Sequence, residues 1–106
     1  MSVQAGEIYY ANLGPARGTE QQGTRPVIII SVVPMGPRAI VVPLTTKLRP
    51  WPTRIRLNLY GTDSDAMCEQ VRTIDTARLS EDLYARLGPT TLAEIQQTVA
   101  RLIGVY

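Results

Sequence analysis

The sequence predicts a small, mainly β barrel of five to six strands followed by one amphipathic C-terminal helix. Eight Gly and eight Pro punctuate short apolar runs, in place of one long helical pattern. Those runs either alternate apolar with polar residues or stay apolar over about four to eight positions, as strands do. Helical spacing emerges only near the C-terminus, from Thr91 to Leu102. With 106 residues, 44 % of them hydrophobic and 19 % charged, the chain is expected to form a single globular domain spanning 1–106.

The elements follow in order. Gly6 to Leu13 (GEIYYANL) reads as a first strand, and Gly14 to Thr24 (GPARGTEQQGT) as a long polar loop. A loop of that length in so small a domain is usually functional. Pro26 to Val33 (PVIIISVV) is almost continuously apolar, as expected of a strand buried on both faces with Pro26 as its first residue. Arg25, preceding that proline, is held in extended geometry where loop becomes strand. After the PMGP turn, Ala39 to Leu44 (AIVVPL) predicts a third strand, in which Pro43 implies a bulge or an open edge. The loop Lys47 to Pro52 (KLRPWP) carries the only tryptophan. Thr53 to Leu59 (TRIRLNL) then alternates, placing Ile55, Leu57 and Leu59 inward and Arg54, Arg56 and Asn58 outward. GTDSD reads as a turn, Ala66 to Val71 as a fifth strand, and Thr73 to Arg78 as a short turn or helical segment. Leu83, Ala85 and Leu87 alternate once more before Gly88-Pro89. Thr91 and Glu94 have the spacing of a capping box, Leu92, Ile95, Val99 and Leu102 form the apolar stripe, and Gly104 closes the helix.

Composition narrows the chemistry. The absence of histidine removes the commonest metal ligand and general base, and the single cysteine, Cys68, rules out an intrachain disulfide or a cysteine-rich zinc site. No metal and no cofactor is predicted. No apolar run approaches the ~20 residues of a membrane span, and the N-terminus lacks a secretory layout, so a cytoplasmic protein with no membrane partner is expected. The net charge is only +2, but residues 1–60 carry seven basic groups against two acids, while residues 61–106 carry four against seven. Ten of the eleven basic residues are arginine, whose planar fork pairs with phosphate or carboxylate and stacks on bases. This suits a polyanion or an acidic peptide, and equally a merely solvated basic face.

The residues most suited to a site are the loop group Glu20, Gln21, Gln22, Thr24 and Arg25, which sets an acid and a guanidinium beside two amides and could seat a phosphodiester. A second group, Thr45 and Thr46, ends the neighbouring strand; a turn satisfying its own backbone is the alternative role for these hydroxyls. No phosphate-binding glycine motif or hydrolase signature accompanies them. From the residues alone, the site is a binding site.

The same blocks carry a family resemblance. The succession GEIYYANL, GTEQQGTRPVIII, VVPLTT and EQVRTIDTARL closely resembles the MazF/PemK toxins of bacterial toxin-antitoxin systems, from about Gly6 to the C-terminal helix. The resemblance implies an SH3-like barrel (MazF/PemK/CcdB-like) and a homodimer. It also implies metal-independent, sequence-specific cleavage of single-stranded RNA to 2′,3′-cyclic phosphate and 5′-hydroxyl ends, and neutralisation by a cognate antitoxin with an acidic segment. In that reaction Arg25 would stabilise the phosphate and assist proton transfer, Thr45 would orient the phosphate, and Glu20 would be the candidate base. Arginine itself, with a pKa above about 12, has almost no neutral form to act as a base. Lys47, Trp51, Arg54 and Arg56 would line the RNA path together with Gln21, Gln22, Thr24, Thr46, Glu69 and Gln70, with Trp51 stacking on a base. The alternatives are an ion pair of Arg25 with Glu20 or Glu69, a half-exposed strand face for the arginines and a hydrophobic loop anchor for Trp51. Gln70, Arg72 and Asp75 also match the motif, where ion pairs fixing a turn are expected.

The PemK-like branch places a histidine before EQQG, and an arginine and an aspartate on the fifth strand; here those positions hold Thr19, Met67 and Glu69. The chain therefore fits the MazF-like version, which relies on Arg25 and Thr45. Two other classes share the architecture. A CcdB-like toxin binds DNA gyrase through a C-terminal tryptophan, whereas this chain ends LIGVY with its tryptophan at 51. A non-catalytic SH3-like module binding RNA or acidic peptides would have no need of Glu20, Arg25 and Thr45 together.

Overall fold

A computed structural model describes residues 2–15, 18 and 23–105. Its strands are β1 (Glu7–Asn12), β2 (Thr24–Ile29), β3 (Arg38–Thr45), β4 (Arg54–Leu59), β5 (Thr62–Met67), β6 (Arg72–Asp75) and β7 (Ala85–Arg86), followed by the helix α1 (Pro89–Leu102). All pairings are antiparallel, in the order β4-β5-β3-β2-β1-β7. The outer edge of β3 is shared: Arg38 to Val41 pair with β6, and Leu44 and Thr45 pair with β5. Val42 and Pro43 fall between the two partners, so the proline, which has no N–H to give, sits where the ladder changes hands. This is the open edge that Pro43 predicts.

The continuous apolar run in β2 is explained by a core on each face of the sheet. Tyr9, Ala11, Val27, Ile29, Ala39 and Val41 point to one side, where Ile74 and Leu79 cover them. Ile8, Ile28, Ile30, Val42 and Leu44 point to the other, packed against Ile95 of α1, Ala66 and Cys68, with Ile55, Leu57 and Leu59 of β4 at its margin. The alternation read in TRIRLNL is thus realised. The β4–β5 hairpin turns through Tyr60 (φ 52°) and Gly61 (φ 86°), both left-handed as a two-residue turn of that twist requires. Its tip bends towards the β7 end of the sheet, where the Tyr60 ring meets Tyr84 edge-on at 5.2 Å and the Tyr60 hydroxyl donates to the Tyr84 carbonyl.

Several boundaries differ from the sequence expectation. GTDSD is mostly strand: Asn58 donates to Asp63 at 2.9 Å and Arg56 to Asp65 at 2.9 Å, so cross-strand pairs override the turn preference of these residues. The fifth strand therefore runs Thr62–Met67, and Cys68–Gln70 form a 3₁₀ turn. Thr73 to Arg78 divides into β6 and a second 3₁₀ turn, Thr76–Arg78, capped by the Asp75 carboxylate accepting from the Ala77 N–H. Among the described residues neither Arg72 nor Asp75 forms the expected ion pair; Arg72 donates to the Leu13 carbonyl. The second strand begins two residues before Pro26 and ends at Ile29, because the Ile40 N–H turns to the Ser31 hydroxyl, and Val32 and Val33 are exposed. The capping box does not form. Gly88 is the N-cap and Pro89, with its preset φ, opens the helix, leaving Thr91 and Glu94 inside it. At the other end the Gly104 N–H donates to Arg101 and the Val105 N–H to Ala100, a glycine-closed terminus that leaves Leu102 exposed.

Candidate functional site

The sheet brings Arg25 to the end of β3 that carries Thr45. β2 pairs with β3 from Ile29 opposite Val41 to Val27 opposite Pro43, and Arg25 and Thr45 each lie two residues beyond that last pair. The Arg25 guanidinium donates to the Leu44 carbonyl at 3.4 Å. Thr45 pairs in turn with Asp65, and Asp65 with Arg56. One transverse row thus runs Thr45, Asp65, Arg56 across three strands, with Arg25 reaching the Leu44 carbonyl beside it. The Thr45 hydroxyl oxygen accepts from the Lys47 N–H at 3.1 Å, so it closes the turn after β3 and still has its own proton to donate. Thr24, opposite Asn12, and Thr46 are exposed beside this row. Glu20, Gln21 and Gln22 lie outside the described residues.

Next to Thr45 opens a cleft of about 410 Å³, lined by Thr45, Lys47, Arg49, Trp51, Arg54, Met67, Glu69 and Gln70. Six of these are residues that the sequence places at the site. Arg54 lines the cleft from within and does not stand free in solvent. Its side chain is only 8 % exposed, with Nη2 2.8 Å from Glu69 Oε2, Nη1 3.8 Å from Asp65, and its guanidinium carbon 4.5 Å from the centre of the Trp51 ring. The charge of two neighbouring carboxylates draws it under the loop. Arg56 does remain half exposed, holding Asp65 from outside.

Asp65 is fully buried, at 0 % exposure, and sequence reading missed it. It accepts from Arg56 Nε at 2.9 Å and from the Arg49 N–H at 2.8 Å, the latter tying the β3–β4 loop to β5. Burial pushes its carboxyl up, but these two hydrogen bonds and the charges of Arg56 and Arg54 outweigh that and hold it below its ordinary value. Glu69 behaves alike: burial raises it, while hydrogen bonds from Arg54 and Thr53 and the Arg54 charge bring it below the usual carboxylate range. Both acids are therefore anionic near neutral pH. The signal for Asp65 lay in its sequence position across a two-residue hairpin from Arg56, hidden by the turn-like composition of GTDSD. Cys68, fully buried behind the cleft, has its thiol pushed up to about 11 by burial and by the Glu69 charge, so it is no nucleophile. Among the described residues no His, Cys, Asp or Glu cluster could hold a metal ion, and no helix is long and apolar enough to cross a membrane.

Comparison with known proteins shows the family and the fold. The family described as "PemK-like, MazF-like toxin of type II toxin-antitoxin system" matches residues 4–103. The chain is similar to Endoribonuclease EndoA of Bacillus subtilis, 36 % identical over 92 residues that cover 78 % of this chain and 79 % of that one. It is also similar to Endoribonuclease MazF of Staphylococcus saprophyticus, 31 % identical over 113 aligned positions, covering 98 % and 93 %. Among solved structures, MazF from Deinococcus radiodurans shares the fold with a TM-score of 0.84 at 22 % identity, over 97 % of both chains. An endoribonuclease from Mycobacterial species, in complex with its cognate antitoxin, does so with a TM-score of 0.79 at 22 % identity, over 99 % and 98 %. A family match over residues 4–103, nearly the whole chain, places this protein in the PemK-like, MazF-like toxin family.

Proposed function

We propose that this protein is an endoribonuclease toxin that cuts single-stranded RNA at a short preferred sequence by transesterification, without a metal. The observation that carries this reading is the Arg25 guanidinium held on the Leu44 carbonyl, next to Thr45 and the cleft that Thr45 lines, in a chain whose relatives are named endoribonucleases. In the reaction the ribose 2′-oxygen bonds to the adjacent phosphorus as its proton leaves, and the bond from phosphorus to the 5′-oxygen breaks as that oxygen gains a proton. The products are a 2′,3′-cyclic phosphate and a 5′-hydroxyl. Charge develops on the non-bridging oxygens, where a permanently charged guanidinium and a hydroxyl donor stabilise it best. Those are the roles of Arg25, which also assists proton transfer at the leaving oxygen, and of Thr45. Glu20 is the proposed base. Lys47 and Arg56 contribute positive charge along the RNA.

The Mycobacterial endoribonuclease was solved with its cognate antitoxin and Deinococcus MazF with MazE, which supports an antitoxin as the protein partner here. We infer further that the antitoxin lays an acidic segment over the cleft, in competition with RNA, and that the toxin acts as a cytoplasmic homodimer. The test of the activity is incubation with a long unstructured RNA in excess EDTA, beside an Arg25→Ala control. Discrete fragments ending in cyclic phosphate, absent with the variant, are expected. Intact RNA across varied substrates, or a fully active variant, would refute the assignment.

A further inference from the structure

The cleft next to Thr45 holds a feature that phosphate binding does not use. Its only aromatic wall among the described residues, Trp51, is 48 % exposed, and Arg54 lies 4.5 Å from the ring centre on one face, so the exposure belongs to the remainder of the ring. Beneath it Glu69 is an anion, unsuited to meeting phosphate. Its two oxygens accept the Thr53 hydroxyl at 2.8 Å, Arg54 Nη2 at 2.8 Å and the shared Arg54 Nε–H at 2.8 and 3.1 Å. Each oxygen thus takes two contacts, and the side chain is still 24 % exposed where it lines the cleft. Arg54 joins the two parts, its Nη1 buried with no hydrogen-bond partner and 3.8 Å from Asp65. A guanidinium held this way has no freedom to swing, and it fixes both the ring and the carboxylate.

We propose that this cleft is a slot for one unpaired nucleobase of the RNA, stacked on the outer face of Trp51 with its edge read by Glu69, and that Arg54 is the positioning residue that presets both. The inference rests on the endoribonuclease reading and adds the specificity of one position. A carboxylate accepts an exocyclic amine and repels a keto oxygen, so cytosine is preferred over uracil, two bases of equal size that differ at this edge. Aromatic stacking supplies affinity for either base, and the carboxylate supplies the discrimination.

The chain has a single tryptophan, so its emission reports directly on the slot. Short cytidine and uridine oligonucleotides, 2′-O-methylated to prevent cleavage, are titrated against the wild type, Glu69→Gln and Arg54→Lys. The wild type is expected to bind the cytidine strand about tenfold more tightly, the size of one hydrogen bond to a charged group, with quenching of Trp51. Glu69→Gln should bring the two affinities within about twofold, since an amide can turn to meet either edge. Arg54→Lys should weaken both, shift Trp51 emission to the red and raise KM against cleavable RNA more than it lowers kcat. Equal affinity of the wild type for both strands, an unchanged preference in Glu69→Gln, or an unmoved Trp51 spectrum in Arg54→Lys would each overturn the slot while leaving the nuclease intact. Failure of the wild type to bind either strand would overturn the nuclease reading and the slot with it.

Discussion

Asp65 is where a single atom change should cost most. It has no exposed surface, yet it receives the Arg49 backbone N–H at 2.8 Å and Arg56 Nε at 2.9 Å, and faces Arg54 Nη1 at 3.8 Å. Asp65→Ala removes an anion from beside a buried guanidinium whose Nη1 has no other partner, and breaking one side of such a pair costs about 3–5 kcal/mol. In a domain of this size about 1 kcal/mol moves Tm by roughly 4–8 °C, so the variant should melt at least ~12 °C below the wild type. Asp65→Asn, which keeps an acceptor for the Arg49 N–H but loses the charge, should fall between. Urea unfolding followed by Trp51 emission and by far-ultraviolet circular dichroism gives both free energies. The pH dependence adds a sign. Because the folded carboxyl is held below its unfolded value of about 3.9, its contribution is complete above that pH and is lost as pH falls through the lower folded value. The acid limb of the wild-type stability curve should therefore be steeper than that of Asp65→Asn. An Asp65→Ala protein within about 1 kcal/mol of the wild type, with an unchanged acid limb, would show that the network around Arg54 is not a stabilising unit.

Two further predictions concern Cys68 and the start of α1. Cys68, with its thiol pushed up to about 11 and no exposed surface, should resist an alkylating agent at pH 8 in the folded protein and react at the rate of a free thiol in denaturant; fast labelling without unfolding would contradict its burial. Thr91→Ala, placed inside α1 and not at its cap, should change stability by under about 0.5 kcal/mol in the same urea assay. A loss of about 1 kcal/mol, the usual value of a cap, would mean that the helix starts later than Pro89.

Where the sequence was legible, one local signal and one tertiary requirement agreed. PVIIISVV is apolar at every position that both cores demand, and Pro43 marks the place where β3 passes from one partner to the other. Arg25, Thr45, Lys47, Trp51, Glu69 and Gln70 were also within reach, because their blocks fall in a recognisable order and the fold delivers them to one cleft and the strand ends beside it. What escaped were the residues whose partner lies across a strand pair. Asp63 and Asp65 carry turn-forming side chains, and only the presence of Asn58 and Arg56 opposite them makes a strand of GTDSD.

Arg54 escaped for the same reason. Alternation along β4 placed it on the face away from the apolar core, which is correct, but no one-dimensional pattern says that this face is roofed by Trp51 and flanked by two carboxylates. An outward position on a curled sheet is outward only where nothing folds back over it. The β3–β4 loop folds back because Asp65 holds its Arg49 N–H, so the buried acid that looked like a turn residue is the reason that an apparently solvent-facing arginine is buried. The arginine-rich strand that composition assigns to a polyanion thus divides its labour. Arg56 keeps its charge near solvent, while Arg54 pairs internally with the anion of a cleft that also presents Trp51, the Thr45 hydroxyl and the Gln70 amide, with Lys47 and Arg49 on its lining. The anion and the aromatic wall suit a base better than a phosphate. In the proposed reaction the phosphate then falls to Arg25 and Thr45 at the neighbouring strand ends.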